Sequence, residues 1–157
     1  MNRTELVAAL LQVFQDMSTE TILLHTRIAE ILGLNITDHK CLGILYRHGP
    51  MPAGQLSKFT GLTTGAITGV IDRLEKAGYV RRRVDERDRR GRIIEPTNLK
   101  RSQKRLGSIF GPLATKTNEV MDQYRAEDLE LILEFSRRLI AISRGEVQRL
   151  RKRRTYA

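Results

Sequence analysis

The sequence predicts a mainly α-helical fold with one two-stranded β-element, and three observations lead there. Apolar side chains recur at helical spacing in long segments near both ends of the 157 residues. Two short helical segments joined by a glycine occupy the middle of the chain. Directly after them come two runs rich in β-branched and basic residues, separated by a charged stretch that ends in a glycine.

The first helix is expected over about residues 4–32, where Leu6, Leu10, Val13, Met17, Leu24, Ile28 and Ile31 form one stripe with no proline among them. Gly33 and Asn35 supply its stop. A second helix is expected over residues 38–48 with Thr37 as N-cap, ended by Gly49-Pro50. Pro52 suits the first turn of a short third helix over residues 53–60, since its missing N–H would be an orphan there. Gly61 then makes the turn. Thr63 or Thr64 caps a fourth helix that runs to Ala77, with Gly78 as its C-cap. Residues 79–84 and 92–95 read as strands and residues 85–91 as the loop between them, a two-stranded wing. From 97 to about 121 the helical pattern is weak, and Gly107, Gly111 and Pro112 are expected to bend or break it. A last helix over about 126–150 has a strong apolar face of Leu129, Ile132, Leu133, Leu139, Ile140, Val147 and Leu150. The terminal helices carry more apolar surface than a small lobe can bury, which marks them as an assembly element. The expected organisation is a helical dimerisation lobe from 1–34 and 97–157 around a central lobe at 35–96.

Composition narrows the partners. Lys and Arg total 28 against 18 Asp and Glu, a net charge of +10 and a pI near 10.3, which favours a polyanion. The charge is concentrated: Arg81, Arg82, Arg83, Arg87, Arg89, Arg90, Arg92, Lys100, Arg101, Lys104 and Arg105 are opposed locally only by Asp85, Glu86, Asp88 and Glu95. A single cysteine excludes an internal disulfide framework, and no charged-then-apolar leader opens the sequence. No stretch approaches the roughly 20 apolar residues of a bilayer span. The expectation is a cytoplasmic protein with no membrane partner. Paired-carboxylate, phosphate-loop, metal-ligand and nucleophile-elbow patterns are all missing, so no enzyme activity, no cofactor and no metal are expected.

The chemistry concentrates on the fourth helix and the wing. Ile67, Val70, Ile71 and Leu74 follow the i, i+3, i+4, i+7 rule and are expected to pack on Leu56, Phe59 and Leu62. The other side presents Gly65, Gly69 and Asp72, flanked by Thr64, Thr68 and Arg73. Two glycines on an exposed helix face cost about 1 kcal/mol each relative to alanine, and close approach of the backbone to another surface would offset that. Threonine can donate to phosphate or touch a thymine methyl. Asp72 opposes this face electrostatically, and it is expected to pair with Arg73 or a wing arginine, or to accept from a cytosine amino group. In the wing loop, acidic residues can pair across the turn while an arginine projects toward a minor groove. Helix and wing together imply double-stranded DNA as the partner. Cys41 lies in an apolar run beside Leu42, Ile44 and Leu45 and reads as a buried structural thiol. His25, His39 and His48 form no i, i+4 pair and adjoin no acidic cluster.

Residues 36–97 resemble the winged helix-turn-helix of the MarR family of bacterial transcription regulators. The matching pieces are GLNITDHKCLGIL, GLTTGAITGVIDRLEKAGYV and the wing signature DERDRR, followed by an apolar strand and Thr97. The flanking helices fit that family's dimerisation lobe, so the resemblance spans nearly the whole chain. It implies a homodimer on an inverted repeat, a repressor in most cases, released from DNA by a small ligand or an oxidant. Carried over by position, Thr63, Thr64, Gly65 and Thr68 would enter the major groove and Arg73 would sit near the DNA backbone. Arg90 would be the minor-groove arginine, with Arg89 beside it. Pro96, and Gly69 where some relatives carry a base-contacting arginine, depart from the family pattern.

Overall fold

The computed structural model describes residues 1–85, 91–97 and 100–153, with the backbone alone at 100–103, 105, 152 and 153. The chain divides into two compact units, Met1–Ile109 and Phe110–Ala157.

The first unit opens with α1 (Arg3–Leu32), started by a capping box in which the Asn2 side chain accepts from the Glu5 N–H and Glu5 accepts from that of Asn2. It stops at Gly33, whose φ of 71° is a left-handed conformation that side chains with a Cβ resist. Only its C-terminal end is buried, at Ile28, Ala29 and Leu32, while Leu6, Leu10, Val13, Met17, Leu24 and Ile31 of the expected stripe stay exposed. Next comes α2 (Ile36–His48), which starts two residues earlier than expected. Asn35 caps it by accepting from the Asp38 N–H at 2.8 Å, so Thr37 lies inside the helix.

A two-residue strand, β1 (Met51–Pro52), precedes α3 (Ala53–Thr60) and α4 (Thr64–Lys76). The wing strands are β2 (Val80–Val84) and β3 (Arg92–Pro96). The wing is two-stranded as expected, and β1 adds a third strand to its sheet, which is antiparallel in the order β1-β3-β2. Met51 lies opposite Ile94 and Pro52 opposite Ile93, which ties the inner wing strand to the start of α3.

The core gathers Leu42 and Leu45 from α2, Leu56 from α3, the α4 stripe of Ile67, Val70, Ile71 and Leu74, and Met51, Val80 and Ile94 from the sheet. Burial at this level contributes about 2 kcal/mol for each large side chain, enough to fix the α4 face that turns inward. Phe59 departs from expectation: it is exposed and stacks on His48 with ring centroids 4.6 Å apart. Tyr79 joins distant parts of the unit, since its buried hydroxyl donates to the Leu32 carbonyl at 3.0 Å and satisfies an end group of α1.

Gly107, Gly111 and Pro112, expected to bend or break the helix, do not break it: α5 (Lys100–Met121) runs through them with Pro112 inside. Pro112 forfeits its own helical hydrogen bond and crowds the carbonyl four residues back, yet the helix continues past it. In the turns that follow, the Thr115 and Thr117 hydroxyls donate to the Gly111 and Leu113 carbonyls. The second unit holds the end of α5 and α6 (Ala126–Arg153). Arg125 and Asp128 pair at 3.0 Å at the entry to α6. On α6 the side chains of Ile132, Leu133, Ile140, Val147 and Leu150 are exposed, while Leu129 and Leu139 are half-buried.

Candidate nucleic-acid interface

Helix α4 presents its N-terminal half outward because its apolar stripe locks the other side into the core. Thr63 is the N-cap and accepts from the Ala66 N–H at 3.3 Å. Thr64, Gly65 and Thr68 are exposed, and the Thr68 hydroxyl donates to the Thr64 carbonyl at 3.0 Å. A Cβ on Gly65 would meet nothing within 4 Å, so packing inside the chain does not require glycine there. Gly69 differs. A Cβ on it would come within 3.3 Å of the Arg73 guanidinium.

Arg73 does not pair with Asp72. Its Nε and Nη2 donate to Asp38 of α2 at 2.8 and 2.7 Å, a two-pronged contact on a carboxylate that is 2% exposed. Asp72 pairs instead with Arg82 of the wing, which also donates to Glu75 from both its side chain and its backbone N–H. Arg82 thereby neutralises two carboxylates of α4. Neighbouring helix positions such as 72 and 73 point about 100° apart, so the adjacent pairing was the geometrically weak option.

The other described wing arginines are also engaged. Arg81 and Arg83 both donate to Glu95, at 2.6 and 2.8 Å. The Arg81 hydrogen bond comes first among the causes that hold the Glu95 carboxyl below its usual range. Arg89 and Arg90 lie outside the described residues. Beneath the wing, Leu45, Tyr46, Pro50, Arg81, Glu95 and Pro96 line much of a half-open cavity of about 620 Å³.

Cys41 is 1% exposed, and burial, reinforced by Asp38, pushes its thiol up to about 11. Two histidines that looked unrelated in sequence meet: His25 Nδ1 of α1 lies 3.0 Å from His39 Nε2 of α2. Burial comes first in lowering His39 to about 4, followed by His25 and Lys40. Among the described residues no group of three His, Cys, Asp or Glu side chains could hold a metal ion. No described helix is long and apolar enough to cross a membrane.

Comparison with known proteins places this geometry. The MarR family model matches residues 34–91, from just before α2 to the residue before β3. YcgE of Bacillus subtilis (strain 168), an uncharacterized HTH-type transcriptional regulator, is 43% identical over 151 residues, covering 96% of this chain and 97% of its own.

The chain belongs to the MarR family.

It is a transcriptional regulator of that family, with a mainly helical winged-helix architecture. The MarR-type fold extends beyond the matched segment. The transcriptional regulator Tm0710 from Thermotoga maritima superposes with a TM-score of 0.60 at 18% identity, over 90% of this chain and 98% of that one. A mutant MepR from S. aureus, solved bound to an oligodeoxyribonucleotide, superposes at 0.57 with 19% identity, over 83% and 94% of the two chains. Asp38 and Glu75, which organise the arginines of this MarR surface, carried no local signal, because their partners lie 35 and 7 residues away.

Proposed function

We propose that this regulator is a homodimer that binds an inverted-repeat operator in double-stranded DNA, represses transcription there and is released by a small-molecule effector. The observation that carries the reading is the outer half of α4: Thr64, Gly65 and Thr68 stand exposed on a helix whose opposite stripe is fully buried. Short hydroxyl side chains and a bare backbone let such a helix settle into a major groove. Thr63, at the N-cap, belongs to the same face, and Arg73 lies one ridge further along it. Arg89 and Arg90 would reach the adjoining minor groove from the wing. That MepR carries an oligodeoxyribonucleotide on a related fold supports the same reading.

The exposed faces of α1 and α6 support a second copy as partner. Leu6, Leu10, Val13 and Met17 on one, and Ile132, Leu133, Ile140 and Val147 on the other, form stripes rather than scattered positions. In this reading residues 1–34 and 97–157 form the dimerisation lobe and 35–96 the DNA-binding lobe. The cavity under the wing is large enough for a small effector, and its walls include Arg81 and Glu95 of the wing itself. Occupancy there would bias the wing between two arrangements, and a coupling of about 1–3 kcal/mol is typical of such control.

The test is a selection from a random duplex pool at physiological salt, followed by sequencing of what the protein retains. The expected product is an inverted repeat with half-sites about one helical turn apart. Retention of DNA without any motif would refute sequence-specific recognition.

A further inference from the structure

Arg73 and Gly69 form an arrangement that neither residue's position on α4 requires. The Asp38 carboxylate, almost wholly buried in the first turn of α2, accepts from Arg73 Nε and Nη2 and from Asn35 Nδ2 at 2.9 Å. The guanidinium is half exposed, and its third nitrogen, Nη1, makes no hydrogen bond among the described residues. Nη1 lies over Gly69, one turn back on the exposed side of α4, where a Cβ would approach it to 3.3 Å. An alanine methyl there would push it aside by a few tenths of an ångström.

We propose that Asp38 is a positioning residue for DNA recognition: by gripping two guanidinium nitrogens it fixes Arg73 so that Nη1 projects over Gly69 toward a single phosphate of the DNA backbone. This inference rests on the DNA-binding reading above. Three features support it. A lone arginine on a helix surface samples many rotamers and loses that freedom on binding, whereas a guanidinium already held by a carboxylate loses little. The two-pronged grip occupies one edge of the planar group and leaves the remaining N–H donors facing away from the carboxylate. Gly69 supplies the space, so this glycine becomes part of a phosphate contact made four residues on. Phosphate contacts fix register on the duplex without reading sequence. The arrangement therefore sets where Thr64, Gly65 and Thr68 fall along the groove, and leaves base readout to them.

The experiment uses the full-length protein, the duplex retained in the selection and a scrambled duplex of equal length, titrated at several salt concentrations. Arg73→Gln is expected to bind both duplexes about tenfold more weakly, with the slope of log K against log salt reduced by about one. Asp38→Asn is expected to lose several-fold on both duplexes with a reduced slope, although it leaves the arginine in place. Gly69→Ala should weaken binding in the wild-type background and have no effect in the Arg73→Gln background. A folded Asp38→Asn with wild-type affinity and slope overturns the inference, as does a Gly69→Ala loss of equal size in both backgrounds. Should Asp38→Asn fail to fold, the Gly69→Ala cycle decides alone. A wild-type protein that binds neither duplex overturns the DNA reading and this inference with it. A binding wild type with an indifferent Asp38→Asn overturns only the latter.

Discussion

Acid should unfold this protein partly through one side chain. His39 is 5% exposed on α2, where burial, His25 and Lys40 hold it at about 4 against 6.5 for the free side chain. A base whose folded value is depressed takes up a proton on unfolding between those two values. Its stabilising contribution is therefore complete above pH 6.5 and lost as pH falls toward 4. With those end points the loss between pH 7.5 and pH 5 is ~2 kcal/mol, since at pH 5 the unfolded side chain is charged and the folded one almost wholly neutral. The assay is urea unfolding at both pH values and fixed protein concentration, for the wild type and for His39→Leu, which cannot titrate. Carboxylates such as Glu95 titrate in both proteins and drop out of the comparison. The wild type should lose ~2 kcal/mol more than the variant. Equal losses in the two proteins would refute the assignment of this acid sensitivity to His39.

Glu in place of both Leu133 and Ile140, each about half exposed on α6, should give monomers by light scattering that bind DNA poorly, because an interface cannot bury unpaired charges. Arg82→Ala leaves Asp72 and Glu75 without their shared cation, so operator affinity should fall several-fold, most steeply at low salt, as fluorescence anisotropy would show. Leu56→Ala removes a side chain with no exposure from the contact between α3 and α4. A loss of about 2–5 kcal/mol in denaturant unfolding is expected, with the m-value unchanged. Cys41, with its thiol near 11, holds almost no thiolate at neutral pH, so DNA binding should survive peroxide as well in the wild type as in Cys41→Ser.

The helices were legible because their signals are local. The stripes on α1, α4 and α6 are written in spacing, and Gly33, Gly61 and Gly78 mark turns that need positive φ. Asn35 and Thr37 are both good caps two residues apart. Only the three-dimensional fit of one side chain to the Asp38 amide chose between them. β1 escaped notice because two residues show no alternation and one of them is proline. On the candidate site, the face of α4 followed from periodicity and a wing arginine was among the expected partners of Asp72, but which arginine it would be, and the pairing of Arg73 with Asp38, could not be derived. Arg73 finds Asp38 across 35 residues, and Arg82 reaches back from the wing to two carboxylates of α4. Such contacts are products of tertiary geometry, and no sequence spacing announces them.

The sheet's two edges suggest how copies of this chain avoid joining in the wrong way. An exposed edge strand is a template for another chain, and long apolar edges invite aggregation. One edge here is β1, only two residues long, and its second residue has no amide hydrogen to offer a newcomer. The opposite edge is β2, where the Arg82 amide that a newcomer would need already donates to the Glu75 carboxylate of α4. With β3 enclosed between them, the sheet is closed to growth at three strands. Crowding of many copies on DNA would therefore leave helix faces, not backbone ladders, as the surfaces through which they meet.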